Sequence, residues 1–133
     1  MASKLDRAGR SPLHYAARDG DGVLCRTLLI TGADPNLADS GGWTPLHFAA
    51  QASSAEATAA LLAFGADVGA RDAFGNTALF RAVFSSRGRG DVIQLLRQAG
   101  ADPASENVKG ISPISLARGI GNQDVAQFFA DLP

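Results

Sequence analysis

The sequence predicts an all-α chain built as a row of four stacked helix–turn–helix units, and three observations predict it. Four segments of the 133-residue chain align with one another: Asp6–His14, Asp39–His47, Asp72–Phe80 and Asn107–Ser115. A second marker, Gly-Ala-Asp, recurs at Gly32, Gly65 and Gly100. Helix start and stop signals stand at fixed places inside each period. Pro12, Pro45, Ala78 and Pro113 lie 33, 33 and 35 residues apart, and the glycines of the second marker 33 and 35 apart. Both markers carry the same two-residue excess, so one insertion falls inside the third unit. Self-similarity at this period marks a stacked array, in which no single unit can bury both faces of its helices.

The first helix of each unit opens at Ser11, Thr44, Thr77 or Ser112, whose hydroxyls suit an N-cap. Pro12, Pro45 and Pro113 follow at the first helical position, where a missing N–H costs nothing. Small residues fill these helices (Ala16 and Ala17, Ala49 and Ala50, Ala82), so neighbours can approach closely. The second helices carry the apolar ridge: Leu24, Leu28 and Leu29; Leu61 and Leu62; Val92, Leu95 and Leu96; Val125, Phe128 and Phe129. Asp21, Asp91 and Asn122 are expected to cap second helices, and Ser53 with Glu56 to form a capping box. Gly32, Gly65 and Gly100 supply the left-handed stop. The fourth unit reads as the end cap. Arg118 replaces Ala17, Ala50 and Val83 of the other units, and Gln123, Asp124, Gln127 and Asp131 make a solvated surface.

Composition narrows the function. The formal net charge is -1, which argues against a nucleic acid or an anionic membrane as partner. No apolar run approaches a membrane span, and the first residues lack the stretch of a signal peptide, so a cytoplasmic location is expected. Cys25 is the only cysteine, which excludes an internal disulfide and a Cys-rich metal site.

The paired motifs Ser11–His14 and Thr44–His47, their variants Thr77–Phe80 and Ser112–Ser115, and the Gly-Ala-Asp marker resemble the ankyrin repeat from about Asp6 to the C-terminus. The resemblance implies a single domain over 1–133, with repeats near 6–38, 39–71, 72–106 and 107–133. It implies L-shaped units with β-turn or hairpin tips. It also implies that His14 and His47 bridge neighbouring turns by hydrogen bonds. No third ligand stands at metal spacing beside them, and no nucleophile–His–Asp arrangement is evident. Cys25 reads as a small hydrophobe, and Gly119-Ile120-Gly121 lacks the third glycine of a dinucleotide loop and reads as a turn. The chain is therefore expected to be a monomer, not an enzyme, with no cofactor and no metal.

Ankyrin-like units meet partners with their tips and the concave face of their first helices. Mapped onto this chain, that face holds Arg7, Arg10, Arg18 and Asp19, then Ser40, Trp43 and Gln51, then Phe74, Asn76, Phe84 and Ser85, then Val108, Lys109 and Ile111. Arg87 and Arg89 join it from the third unit's longer loop, Ser85–Gly90. Trp43 and Phe74 at tips, with several arginines, suit an interface, and the arginines favour an acidic patch on a toxin or signalling protein. The expected function is non-catalytic protein binding, as an adaptor or inhibitor. A narrower expectation is a bacterial immunity protein that neutralises a cognate toxin, since small free-standing ankyrin proteins resemble those. A consensus-designed scaffold is the other alternative, and the divergence between units argues against it.

Overall fold

The computed structural model describes residues 5–119 and 123–133. Inner helices α1 (Pro12–Arg18), α3 (Pro45–Gln51), α5 (Ala78–Phe84) and α7 (Pro113–Gly119) alternate with outer helices α2 (Gly22–Ile30), α4 (Ala55–Ala63), α6 (Asp91–Gln98) and the short α8 (Gln123–Ala126). A 3₁₀ turn at Gln127–Phe129 follows α8. The inner helices stack α1 on α3, α3 on α5 and α5 on α7, while α2 packs on α4 and α4 on α6.

The stacking follows from side-chain size. Ala16, Ala17, Ala49, Ala50, Ala82 and Ala117 are buried where the inner helices meet. Leu13, Leu46 and Leu79, spaced 33 apart, are fully buried beneath them. Each such leucine contributes about 2 kcal/mol of burial. Cys25, Leu29, Ala57, Leu61, Val92, Ile93, Leu96, Val125 and Phe129 form the outer half of the same core. Leu24 departs from its expected place in the ridge and is 44% exposed. Its counterparts Ala57 and Val92, 33 and 68 residues on, are buried, because each has a preceding outer helix to pack against.

The capping pattern holds with two corrections. Asp21 caps α2 by accepting the Leu24 N–H at 3.0 Å. For α4 the cap is Ser54, which accepts from the Ala57 N–H at 3.1 Å, and not Ser53. Ser53 instead terminates α3 in the left-handed region, at φ +53°, where Gly20 terminates α1 at +71°. Its N–H bonds the Ala50 carbonyl and the next N–H bonds that of Ala49, the paired bonds of a Schellman end. Asp91 lies inside the first turn of α6 with Gly90 at the cap. Asn122, the remaining expected cap, lies outside the described residues, as do Ile120 and Gly121. Gly32, Gly65 and Gly100 end the outer helices with φ of +103°, +88° and +98°. Arg118 holds the tail, donating to the carbonyls of Leu132 and Pro133.

The tips are hairpin-like turns that bond one another. Asp6, Asp39, Asp72 and Asn107 each use Oδ1 to accept the N–H groups two and four residues on, at 2.9–3.0 Å. Successive tips are joined by Ser40 N–H to Ala8 O, Ala73 N–H to Gly41 O and Val108 N–H to Phe74 O, at 2.8–3.0 Å. Gly42 shows how close they come. Its φ is +80°, and a Cβ there would lie 2.9 Å from the Asp72 Cα and the Ala73 N. No side chain fits such a gap.

Candidate protein-binding face

The two histidines are built into the scaffold. In unit 1 the Ser11 N–H donates to His14 Nδ1 at 2.9 Å, so Nδ1 bears no proton. Nε2 therefore carries it and donates to the Trp43 carbonyl at 3.0 Å. His47 repeats the arrangement one unit on, with the Thr44 N–H on Nδ1 at 3.1 Å and the Asn76 carbonyl on Nε2 at 2.9 Å. Burial pushes both imidazoles below their ordinary pKa, against smaller opposing contributions from those carbonyls. Both ring nitrogens of each histidine are committed. In unit 3 Phe80 cannot relay such a bond, and in unit 4 Ser115 Oγ takes over the Nδ1 role, accepting from the Ser112 N–H at 2.9 Å.

The tip carboxylates are committed too. Asp39 Oδ2 receives Arg10 Nε at 3.1 Å, Asp72 Oδ2 receives Arg81 at 3.1 Å, and Asp6 Oδ2 receives the Tyr15 hydroxyl. The bond from Tyr15, with backbone donors, holds the Asp6 carboxyl below its usual range. Between these pairs runs a ladder of cations and rings along the inner-helix face. Arg18 lies 4.6 Å from the Tyr15 ring, Arg10 lies 6.0 Å from Tyr15 and 5.2 Å from Phe48, and Arg81 lies 4.5 Å from Trp43. Trp43 in turn sits 4.8 Å from Phe48.

Tyr15, Phe48 and Arg81 are the side chains of this ladder that sequence reasoning missed. They stand 33 residues apart, immediately after His14, His47 and Phe80, at an inner-helix position that is neither motif nor small. That register was the available signal.

The residues expected on the face fall into three groups. Arg7, Arg18, Gln51, Phe74, Phe84, Arg87, Arg89 and Lys109 are exposed, as are Asp19, Ser40, Val108 and Ile111. Arg10, Trp43 and Ser85 are half-buried, the first two within the ladder. Asn76 is a correction, because it is buried and its Oδ1 accepts the Asn107 side-chain N–H at 2.8 Å. Its amide joins two tips and is unavailable to a partner. At the far ends of α3 and α5, Gln51, Phe84, Arg87 and Arg89 gather around one cleft, away from the tips.

A family model described as ankyrin repeats in three copies matches residues 13–107, well over half of the chain. The chain belongs to the ankyrin-repeat family. The matched span begins inside α1 and ends where the fourth tip opens. Ankyrin repeats are generally protein–protein interaction modules and generally non-catalytic. No curated protein matches the chain. Among the described residues no group of three or more His, Cys, Asp or Glu could hold a metal ion, and no helix is long and apolar enough to cross a membrane. Cys25 is fully buried in the core and its thiol is pushed up to about 11, chiefly by burial. A thiol held so far from its thiolate is not a nucleophile near neutral pH.

Proposed function

We propose that this chain is a non-catalytic binding module, an adaptor or inhibitor in one 1–133 domain, that grips a protein partner with an acidic surface. The observation that carries the reading is the division of labour along the face. The histidines and tip aspartates are consumed by the scaffold, while Arg7, Arg18 and Lys109 stay exposed beside the apolar Phe74, Val108 and Ile111. The face is graded. In unit 1 Arg7 stands on the tip and Arg18 at the end of α1, while apolar side chains gather on the third and fourth tips with the single cation Lys109, so a partner with carboxylates at one end of its footprint and an apolar patch at the other fits it. Trp43 is half-buried here, with the Arg81 guanidinium over its ring.

The test is affinity capture with the wild type, an Arg7→Glu/Arg18→Glu variant and a Phe74→Ser variant, followed by titration of the captured protein. Capture by the wild type, loss with either variant, and weakening by salt support the proposal. Equal capture by all three chains overturns it.

A further inference from the structure

The insertion in unit 3 builds something that units 1 and 2 lack. Units 1 and 2 close their inner helices with a single left-handed residue, Gly20 or Ser53. Unit 3 adds a turn instead, closed by the Arg89 N–H on the Ser86 carbonyl at 2.9 Å. Its central residues, Arg87 at φ +50° and Gly88 at +85°, have the φ signs of a type I′ turn.

The turn is pinned on three sides. Ser86 is buried and donates to the Val83 carbonyl at 3.0 Å. Ser53 from the unit-2 corner donates to the Ser85 carbonyl at 3.0 Å. Gly90 lies so close to Phe128 that a Cβ there would meet ring carbons at 2.1–2.5 Å. A loop fixed in this way presents its side chains at little ordering cost on binding.

Between this turn and the unit-2 corner lies a cleft of about 480 Å³, lined in part by Gln51, Ser53, Phe84, Ser86, Arg87 and Arg89. Among the described residues no acidic one lines it. Among the described residues Arg89 pairs with the exposed Asp91, at 3.2 Å, a surface pair of little strength. Phe84 at the rim is 64% exposed. Two guanidinium groups on the fixed turn and the open ring of Phe84 at the end of α5 match a carboxylate followed by an apolar side chain.

We propose that this cleft is a second docking site, at the opposite end of the inner helices from the tips, that takes an acidic peptide segment of the partner. A carboxylate seats between Arg87 and Arg89, and its apolar neighbour lies on Phe84. The proposal rests on the reading of the chain as a protein-binding module, but it uses none of the tip residues.

The probe is a short labelled peptide with a central Asp-Glu-Phe-Leu, compared with its Lys-Lys-Phe-Leu counterpart. Binding is followed by anisotropy and by amide chemical shifts of the full chain. The acidic peptide is expected to saturate, with shifts confined to residues 51–53 and 84–91, and the basic one to do nothing. Arg87→Gln/Arg89→Gln should weaken it at least about tenfold, as loss of charge-assisted bonds does. Arg87→Gly suits the left-handed corner and keeps the test valid if glutamine strains the turn.

Absence of shifts at these amides at millimolar peptide overturns the proposal. So does equal binding of both peptides, or displacement by free phosphate at matched concentration, which would make the cleft a plain anion site. Shifts confined to the tips reject this cleft and leave the proposed function standing.

Discussion

Replacing Trp43 by alanine separates two roles that one aromatic residue at a tip could have. The indole lies 4.8 Å from the Phe48 ring, 5.7 Å from His47 and 4.5 Å from the Arg81 guanidinium, and it is half-buried. Removing roughly 100–150 Å² of buried ring surface, at ~25 cal/mol per Å², costs about 3 kcal/mol. The lost Phe48 contact adds about 1 kcal/mol and the lost cation–π contact about 0.5–1. Arg81 keeps Asp72 and becomes better hydrated, which offsets part of this. The net expectation is a loss of about 3–4 kcal/mol, a large share of a stability of about 5–15 kcal/mol. The measurement is urea unfolding followed by far-ultraviolet circular dichroism, since the substitution removes the only tryptophan. A cycle with Arg81→Ala should show about 1 kcal/mol of coupling. A loss under about 1 kcal/mol would refute the structural role and return Trp43 to the status of a projecting anchor.

The histidines predict a pH dependence. Their folded pKa values lie below the ordinary 6.5, so their stabilisation is complete above that pH. It is lost as pH falls and the unfolded chain takes up protons first. The urea midpoint should therefore drop between pH 7 and pH 5, and a flat profile would contradict the neutral, doubly bonded rings. Thr58 is fully buried with no partner for its hydroxyl, and its counterparts in neighbouring units are Cys25 and Ile93. Thr58→Val should raise stability by about 1 kcal/mol, read as a higher melting temperature, whereas a destabilised variant would mean that the hydroxyl is satisfied. Cys25 should resist thiol reagents in the native chain and react only as the fold opens, so rapid native labelling would show that α2 is loosely packed.

Most of the architecture was legible because it is written at one period. Pro12, Pro45 and Pro113 start inner helices by local chemistry that needs no tertiary information, and Gly32, Gly65 and Gly100 end the outer helices in the same way. Burial at the tips was harder to read. Arg10, Trp43, Asn76 and Ile111 occupy the same place in successive tips, yet Asn76 is sealed by Asn107 while Ile111 is open. What covers a tip residue is a side chain one unit away, and spacing does not reveal it. The cap of α4 shifted from Ser53 to Ser54 for a local reason: adjacent serines offer the same hydroxyl, and only the left-handed turn at Ser53 decides between them. Leu24 was misplaced because a repeated apolar position is buried only where a previous helix exists to bury it.

The three joints of the array are not fastened alike. The first two are tied by a shielded imidazole reaching the next tip. Phe80 removes that tie from the third. There the fastening passes to an amide pair, to Arg71 on the Glu106 carbonyl, and to Arg97 gripping Asp131 at 2.8 and 2.9 Å near the surface. Bonds in reach of water and salt hold less firmly, so the molecule has a preferred end from which to peel. A protein that straddles Phe74 and Val108 would act as a latch across that seam and raise the melting point of the whole array. One that settles on Arg7 alone would leave the seam as it was.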